Sequence, residues 1–349
     1  MVAQSVSSQK SKIKNPTSMD APFRFEPFLR PMVWGGRRLG EVLGKPLPTR
    51  EAYGESWEIS DHPLHRSVVT AGPLAGHNLH LLMEQQRKDL LGDAAAEHGV
   101  FPWLVKFLDA HDWLSVQVHP DEEIVERLWP GEEGKTEAWF VLAADAGSRI
   151  YAGLLPGIDK PRLRAALRAG TVAKCLHHFE PRAGDCIFLP AGTVHAVGGG
   201  VLMAEVQQTS DATFRLFDWN RRDAQGKSRP LHIEEALACI DWERGPVEPI
   251  RTNPLAAAVA EGSPRGPLHE RLVQCPFFHL EHVRETAPFA CGGEASLQVW
   301  IILEGVGHWD IPGETEEAQR GQVWVLPAAM ARTWCRPEPE LEFLLCTLP

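Results

Sequence analysis

The residues best able to do chemistry fall in two short runs. Leu114-Ser-Val-Gln-Val-His119 alternates apolar and polar positions, so a strand there directs Ser115, Gln117 and His119 to one face and the aliphatic side chains to the other. Gly134-Lys-Thr-Glu137 then opens the apolar run Ala138-Trp-Phe-Val-Leu142, and the same period of two sets Lys135 and Glu137 on a shared face. Imidazole, amide, hydroxyl, carboxylate and ammonium groups of this kind can ligate a metal or move a proton. A solvated strand face and an exposed ion pair would use the same residues.

A third run narrows the choice. Gly184-x5-Pro190-x-Gly192-x2-His195 resembles the second cupin motif over its full length. Its mechanics are those of a strand ending at Leu189, a tight turn shaped by Pro190 and Gly192, and a return strand that carries His195 inward. Inside one barrel Gln117, His119, Glu137 and His195 converge from different strands. Two imidazoles, a carboxylate and an amide oxygen make an N/O set suited to one Zn²⁺ per chain, with Mn²⁺ or Co²⁺ as other fits.

Together these segments resemble the type I mannose-6-phosphate isomerases, in particular the shorter bacterial form. The resemblance is carried by Leu114-Ser-Val-Gln-Val-His-Pro120, Gly134-Lys-Thr-Glu137, Pro190-Ala-Gly-Thr-Val-His195 and Glu205-Val-Gln-Gln-Thr-Ser-Asp-Ala-Thr-Phe-Arg215. Val33-Trp-Gly-Gly36 and Tyr53-Gly-Glu-Ser-Trp-Glu58 add N-terminal landmarks. It implies Gln117, His119, Glu137 and His195 as metal ligands, Arg215 as a catalytic residue, and Lys135 and Asp211 as further active-site positions. It also implies an aldose–ketose isomerase that interconverts mannose 6-phosphate and fructose 6-phosphate through an enediol. Ser115, Lys106 and Glu55 are the candidates for substrate binding, with Lys135 a further donor to the phosphate. Gln117 departs from the H-x-H of metal-dependent cupin oxygenases, the first alternative. A catalytically silent sugar-binding or regulatory cupin is the second.

The elements that must position these residues are mainly β. Runs rich in Val, Ile, Phe and Trp between Gly and Pro signals dominate from Phe101 to Trp219 and from Phe277 onward, the pattern of a sandwich or barrel. Leucines at three- and four-residue intervals predict helices over Leu79–His98 and Asp159–His178, the second ending on Cys175, His177 and His178. The fold class expected is two cupin-like (jelly-roll) β-barrels with helical decorations. Gly184-x5-Pro-Ala191 is echoed by Gly321-x5-Pro-Ala328, and the ungapped alignment sets Arg332 opposite His195, so the second barrel should lack the metal ligands.

On this reading residues 1–20 are a disordered tail, 21–245 the catalytic cupin domain with helical insertions, 246–266 a Pro-, Gly- and Ala-rich linker, and 267–349 the C-terminal barrel. The 349 residues carry a formal charge of −11, which argues against a nucleic-acid partner. An anionic small substrate then needs a locally basic pocket. No apolar run reaches the roughly 18 residues that a membrane span requires. Seven cysteines without a C-x-x-C pair suit a reducing, cytoplasmic setting. A sugar phosphate is the expected partner, and a monomer or weak homo-oligomer the expected state.

Overall fold

A computed structural model describes residues 19–222, 226–251, 266–311, 313 and 316–349. Most of the expected tail and linker therefore lies outside the described residues. Within them, Met19 is buried, and Ile250–Arg251, placed by the sequence in the linker, forms a strand on the first barrel.

Two sheets build that barrel. A seven-stranded sheet runs β1 (Phe28–Gly36), β2 (Tyr53–Ile59), β5 (Trp103–Ala110), β12 (Val201–Gln208), β7 (Glu137–Ala144), β10 (Asp185–Leu189) and β14 (Ile250–Arg251). A five-stranded sheet runs β13 (Phe214–Phe217), β6 (Val116–Val118), β11 (His195–Val197), β8 (Ile150–Leu154) and β9 (Leu176–Phe179). A short hairpin pairs β3 (Asp61–His62) with β4 (His65–Arg66). The second barrel is one seven-stranded sheet. Its path is β15 (Leu268–Gln274), β16 (His279–Glu285), β21 (Thr333–Thr347), β18 (Gln298–Trp309) and β19 (Glu317–Gln319), with β17 (Phe289–Cys291) on β21 and β20 (Val323–Leu326) on β18.

Period-two patterning explains how the layers stack. Along β7, Trp139 and Val141 point between the two sheets of the first barrel, where they meet Leu108, Ile150, Ile187, Val197 and Met203. The intervening Ala138, Phe140 and Leu142 join a core shared with Val299, Ile301, Leu303 and Leu344 of the second barrel. Strands buried on both faces lose the polar alternation of a half-exposed strand, which is why β7 reads as one continuous apolar run. Glu137 is in phase with Trp139 and so faces the barrel interior.

Among the described residues five helices decorate the barrels: α1 (Arg38–Glu41), α2 (Leu79–Leu91), α3 (Glu122–Leu128), α4 (Lys160–Ala169) and α5 (Ile233–Cys239). Both long helices expected from the leucine spacing are shorter than predicted. α2 stops at Gly92 (φ +71°), and α4 stops at Gly170 in a left-handed conformation (φ +66°), the usual glycine stop signal. Cys175, His177 and His178 therefore do not end a helix. Cys175 closes a 3₁₀ turn, and the two histidines lie on β9, with His177 3.0 Å from Glu248. None of the described helices is long and apolar enough to cross a membrane.

The repeat noticed in the sequence is a structural one, since Gly184 (φ +92°) and Gly321 (φ +79°) each make the left-handed turn that launches a strand, β10 and β20. At the seam between the barrels, Glu342 takes hydrogen bonds from Arg284 at 3.1 Å and pairs with His282 Nε2 at 2.7 Å, beneath the ring of Phe140. Burial alone would raise this carboxyl's pKa, but His282 and Arg284 outweigh burial and hold it near 2. A depressed folded-state pKa gives stability that is present above the unfolded value and lost as pH falls toward the folded one. Glu342→Gln is expected to cost about 3 kcal/mol at pH 7. The gap from the parent protein should shrink between pH 5 and pH 2 in urea unfolding, and a constant gap would disprove the assignment.

Candidate metal centre and substrate cavity

His119, Glu137 and His195 come together with ligand atoms within 4.8 Å of one another, and all three are buried. The turn foreseen at Pro190–Gly192 delivers His195 to β11, where it pairs with Gln117 of β6. Gln117 in turn pairs with Arg215 of β13. The five-stranded sheet thus aligns His195, Gln117 and Arg215 across three neighbouring strands, while Glu137 faces them from the other sheet.

Both imidazoles have a fixed orientation. His119 Nδ1 sits 2.7 Å from the Ala212 carbonyl and His195 Nδ1 sits 2.9 Å from the Thr193 carbonyl. Each Nδ1 therefore donates, which leaves both Nε2 lone pairs aimed at Glu137, 3.5 and 3.3 Å from its oxygens. Backbone tethering of this kind is how proteins orient metal-binding histidines. Burial keeps both rings neutral, with His119 well below the ordinary range and His195 near 4. Trp139 abuts the His195 ring edge-on, and its indole N–H donates to Glu205 at 2.9 Å.

Glu137 tests whether the set fits a cation. Both of its oxygens are buried and accept no well-formed hydrogen bond, although the Lys135 ammonium lies 3.1 Å from one. Burial pushes its carboxyl up to about 7 against the pull of Lys135. Buried carboxylate oxygens without donors are rare in native proteins and call for an explanation. A divalent cation between Glu137 and the two Nε2 atoms supplies one, and the residues fit it.

Above this centre opens a cavity of about 290 Å³. Its walls include Glu55, Lys106, Ser115, Gln117, Lys135, Asp211 and Arg215, so the seven other residues singled out from the sequence line one space. Lys135 lies 3.2 Å from His119 Nε2, and Gln117 3.2 Å from His195 Nε2, which joins the cavity to the metal centre. Lys106 is 3.0 Å from Glu205 and donates to Gln207 at 2.6 Å. Burial works against its charge, yet Glu205, with Glu55 and Asp211 behind it, raises its pKa. Arg215 is half-buried and donates to Ser115 Oγ at 3.2 Å and to the Pro230 carbonyl at 3.0 Å. Burial and the neighbouring Arg229 both lower its pKa.

Sequence reasoning missed Arg30, Glu205, Trp129, Arg229 and His232, which also line the cavity. Glu205 had a signal, because it is the one polar residue of the run Val201–Val206 and stands in phase with Gln207. Arg229 and His232 had none, since irregular loops carry no periodicity. Trp34 also lines the cavity. Trp57 is fully buried beneath the Arg30 and Lys106 cations, and Trp113 packs on Tyr151 and Trp219.

The architecture and site define a two-barrel cupin enzyme with a metal-capable centre, and comparison with known proteins makes this specific. The profile of the phosphomannose isomerase type I catalytic domain matches residues 23–139. A mannose-6-phosphate isomerase of Streptococcus mutans is 35% identical over 316 residues, 90% of this chain and 95% of its own. The crystal structure of the mannose 6-phosphate isomerase of Bacillus subtilis superposes with a TM-score of 0.81 at 28% identity, covering 93% of this chain and 99% of that one. A zinc-bound mannose 6-phosphate isomerase, 16% identical with a TM-score of 0.69 over 94% of this chain and all of its own, shares the fold. The chain belongs to the type I phosphomannose isomerase family. Membership in a family of isomerases sets aside the oxygenase and silent-cupin readings.

Proposed function

We propose that the chain interconverts mannose 6-phosphate and fructose 6-phosphate with one Zn²⁺ held by Gln117, His119, Glu137 and His195. The observation that carries this reading is the donor-poor Glu137 carboxylate, flanked by two Nε2 lone pairs at the base of a cavity walled by cations. Two imidazoles, a carboxylate and an amide suit zinc by ligand type. Bound there, the metal would act as a Lewis acid for the sugar carbonyl without redox change.

The chain's own groups do the rest. Moving a proton between C1 and C2 needs a group that takes it from one carbon and returns it to the other. Lys135, Asp211 and Glu55 are among the cavity groups with that capacity. Arg215, held by Ser115 and the Pro230 carbonyl, stays protonated and stabilises negative charge on the enediol oxygens. Its pre-set orientation makes it act mainly in the transition state, so Arg215→Ala is expected to lower kcat by about 10²–10³ and to change KM little. Near-normal turnover would remove Arg215 from the chemistry.

The seven cysteines are all buried and free, which suits the reducing cytoplasm proposed for the protein. One assay tests the whole reading. Purified protein is mixed with mannose 6-phosphate, with and without chelator, and fructose 6-phosphate is followed. No product from the metal-loaded protein would refute the activity, and undiminished turnover after complete metal removal would refute the role of zinc.

A further inference from the structure

Gln207 lies near the end of β12, directly across from Glu137 on β7. It is fully buried and does not line the catalytic cavity. Its amide nevertheless spends both of its protons and its oxygen on the site's surroundings. The oxygen accepts from Lys106 Nζ at 2.6 Å, and the nitrogen donates to the Ser210 carbonyl at 2.5 Å and to the Gln208 carbonyl at 2.9 Å. These partners fix which way round the amide sits. Turned over, it would set N–H groups against an ammonium and an oxygen against two carbonyls.

Both ends of this bridge lead to the site. Lys106 is held by Gln207 and by Glu205, 3.0 Å away, which leaves one of its three protons for the cavity it lines. At the other end Ser210 stands two residues before Ala212, whose carbonyl holds His119 Nδ1 at 2.7 Å. The Ser210 hydroxyl accepts from the Ala212 N–H at 3.2 Å, and the Ser210 N–H donates to the Gln208 carbonyl at 2.7 Å. Ser210 and Ala212 are themselves fully buried. A buried carbonyl that loses its donor is costly, so removing the amide loosens the loop at Ser210 as well as the ammonium at Lys106.

We propose that Gln207 is a positioning residue for both halves of the site: its one amide aims Lys106 at the substrate phosphate and holds the loop whose Ala212 carbonyl orients His119 toward the metal. This role rests on the isomerase function proposed above. Gln207→Met, which keeps the volume and removes the amide, tests it in the full chain. Zinc affinity, measured by competition with a chelator, should fall about tenfold, the low end of what outer partners of metal ligands are worth. With zinc saturating, the kcat/KM preference for mannose 6-phosphate over free mannose should also fall about tenfold, because a loose Lys106 weakens the hold on the phosphate and not on the rest of the sugar. An amide that only supports the fold would lower both sugars together. Gln207→Asn, whose amide is set back by one methylene, keeps the site polar and should show the same two shifts, so misfolding of the methionine variant cannot decide the outcome. Unchanged zinc affinity or an unchanged sugar preference in the folded variants would overturn the double role. A wild-type protein that makes no fructose 6-phosphate would overturn the function and this role with it, a result told apart because it appears before any substitution.

Discussion

Replacing His119 and His195 together by alanine is expected to leave the protein without bound zinc and to lower turnover at least about a thousandfold. The two Nε2 atoms are the only nitrogen donors in the buried cluster of His119, Glu137 and His195. Without them a cation would rest on one carboxylate and one amide, too few ligands for a four-coordinate zinc. Lewis-acid stabilisation is worth several kcal/mol, and each 1.36 kcal/mol is tenfold in rate, which gives about three orders of magnitude. Elemental analysis of the purified proteins should find one equivalent in wild type and none in the double variant. Retained metal in the variant, or two equivalents in wild type, would contradict the assignment. The variant should still fold, because alanines at these positions remove demanding buried polar groups and leave the Val116, Val118 and Val197 packing in place.

The second large effect concerns the phosphate. Mannose 6-phosphate is expected to be used about two to four orders of magnitude more efficiently than free mannose, because each lost hydrogen bond to a charged group is worth about 1.5–3 kcal/mol and the phosphate should make at least two. The acidic surface repels a dianion at long range, so binding must come from local donors. Lys106 and Lys135, natural candidates from the sequence, each lie close to a carboxylate, Glu205 at 3.0 Å and Glu137 at 3.1 Å. Their three-proton ammonium groups still keep an N–H for the phosphate, and the Ser115 hydroxyl on the cavity wall adds a donor, which leaves Arg215 to the enediol oxygens. Part of the loss should fall on kcat, since phosphate binding energy can orient the reacting carbons. Comparable kcat/KM for the two sugars, measured side by side, would make this a free-sugar isomerase.

Much of the site could be read from the chain because its residues sit on strands. A period of two fixes which side chains share a face, so spacing alone groups Ser115 with Gln117 and Lys135 with Glu137. The Pro190–Gly192 turn likewise announced the inward return of His195. What the sequence hid is of another kind. Helix ends went astray at Gly92 and Gly170, where one left-handed glycine overrode a leucine pattern that ran on into β9. The pairing of Lys106 with Glu205 follows from a register between β5 and β12, nearly a hundred residues apart, that local patterning does not encode. Arg229 and His232 reach the cavity from irregular backbone, where spacing carries no directional information.

Repeated units are commonly the most portable parts of a protein, the pieces that survive excision and transplantation. The second barrel here is not portable. The outer faces of β5, β7 and β12 form one continuous core with Val299, Ile301 and Leu344 of the second barrel, beside the separate interior that each barrel keeps for itself. The second barrel thereby serves as the cover of the first barrel's outer face. Cutting the chain between them would leave each fragment with a wet apolar flank along this seam.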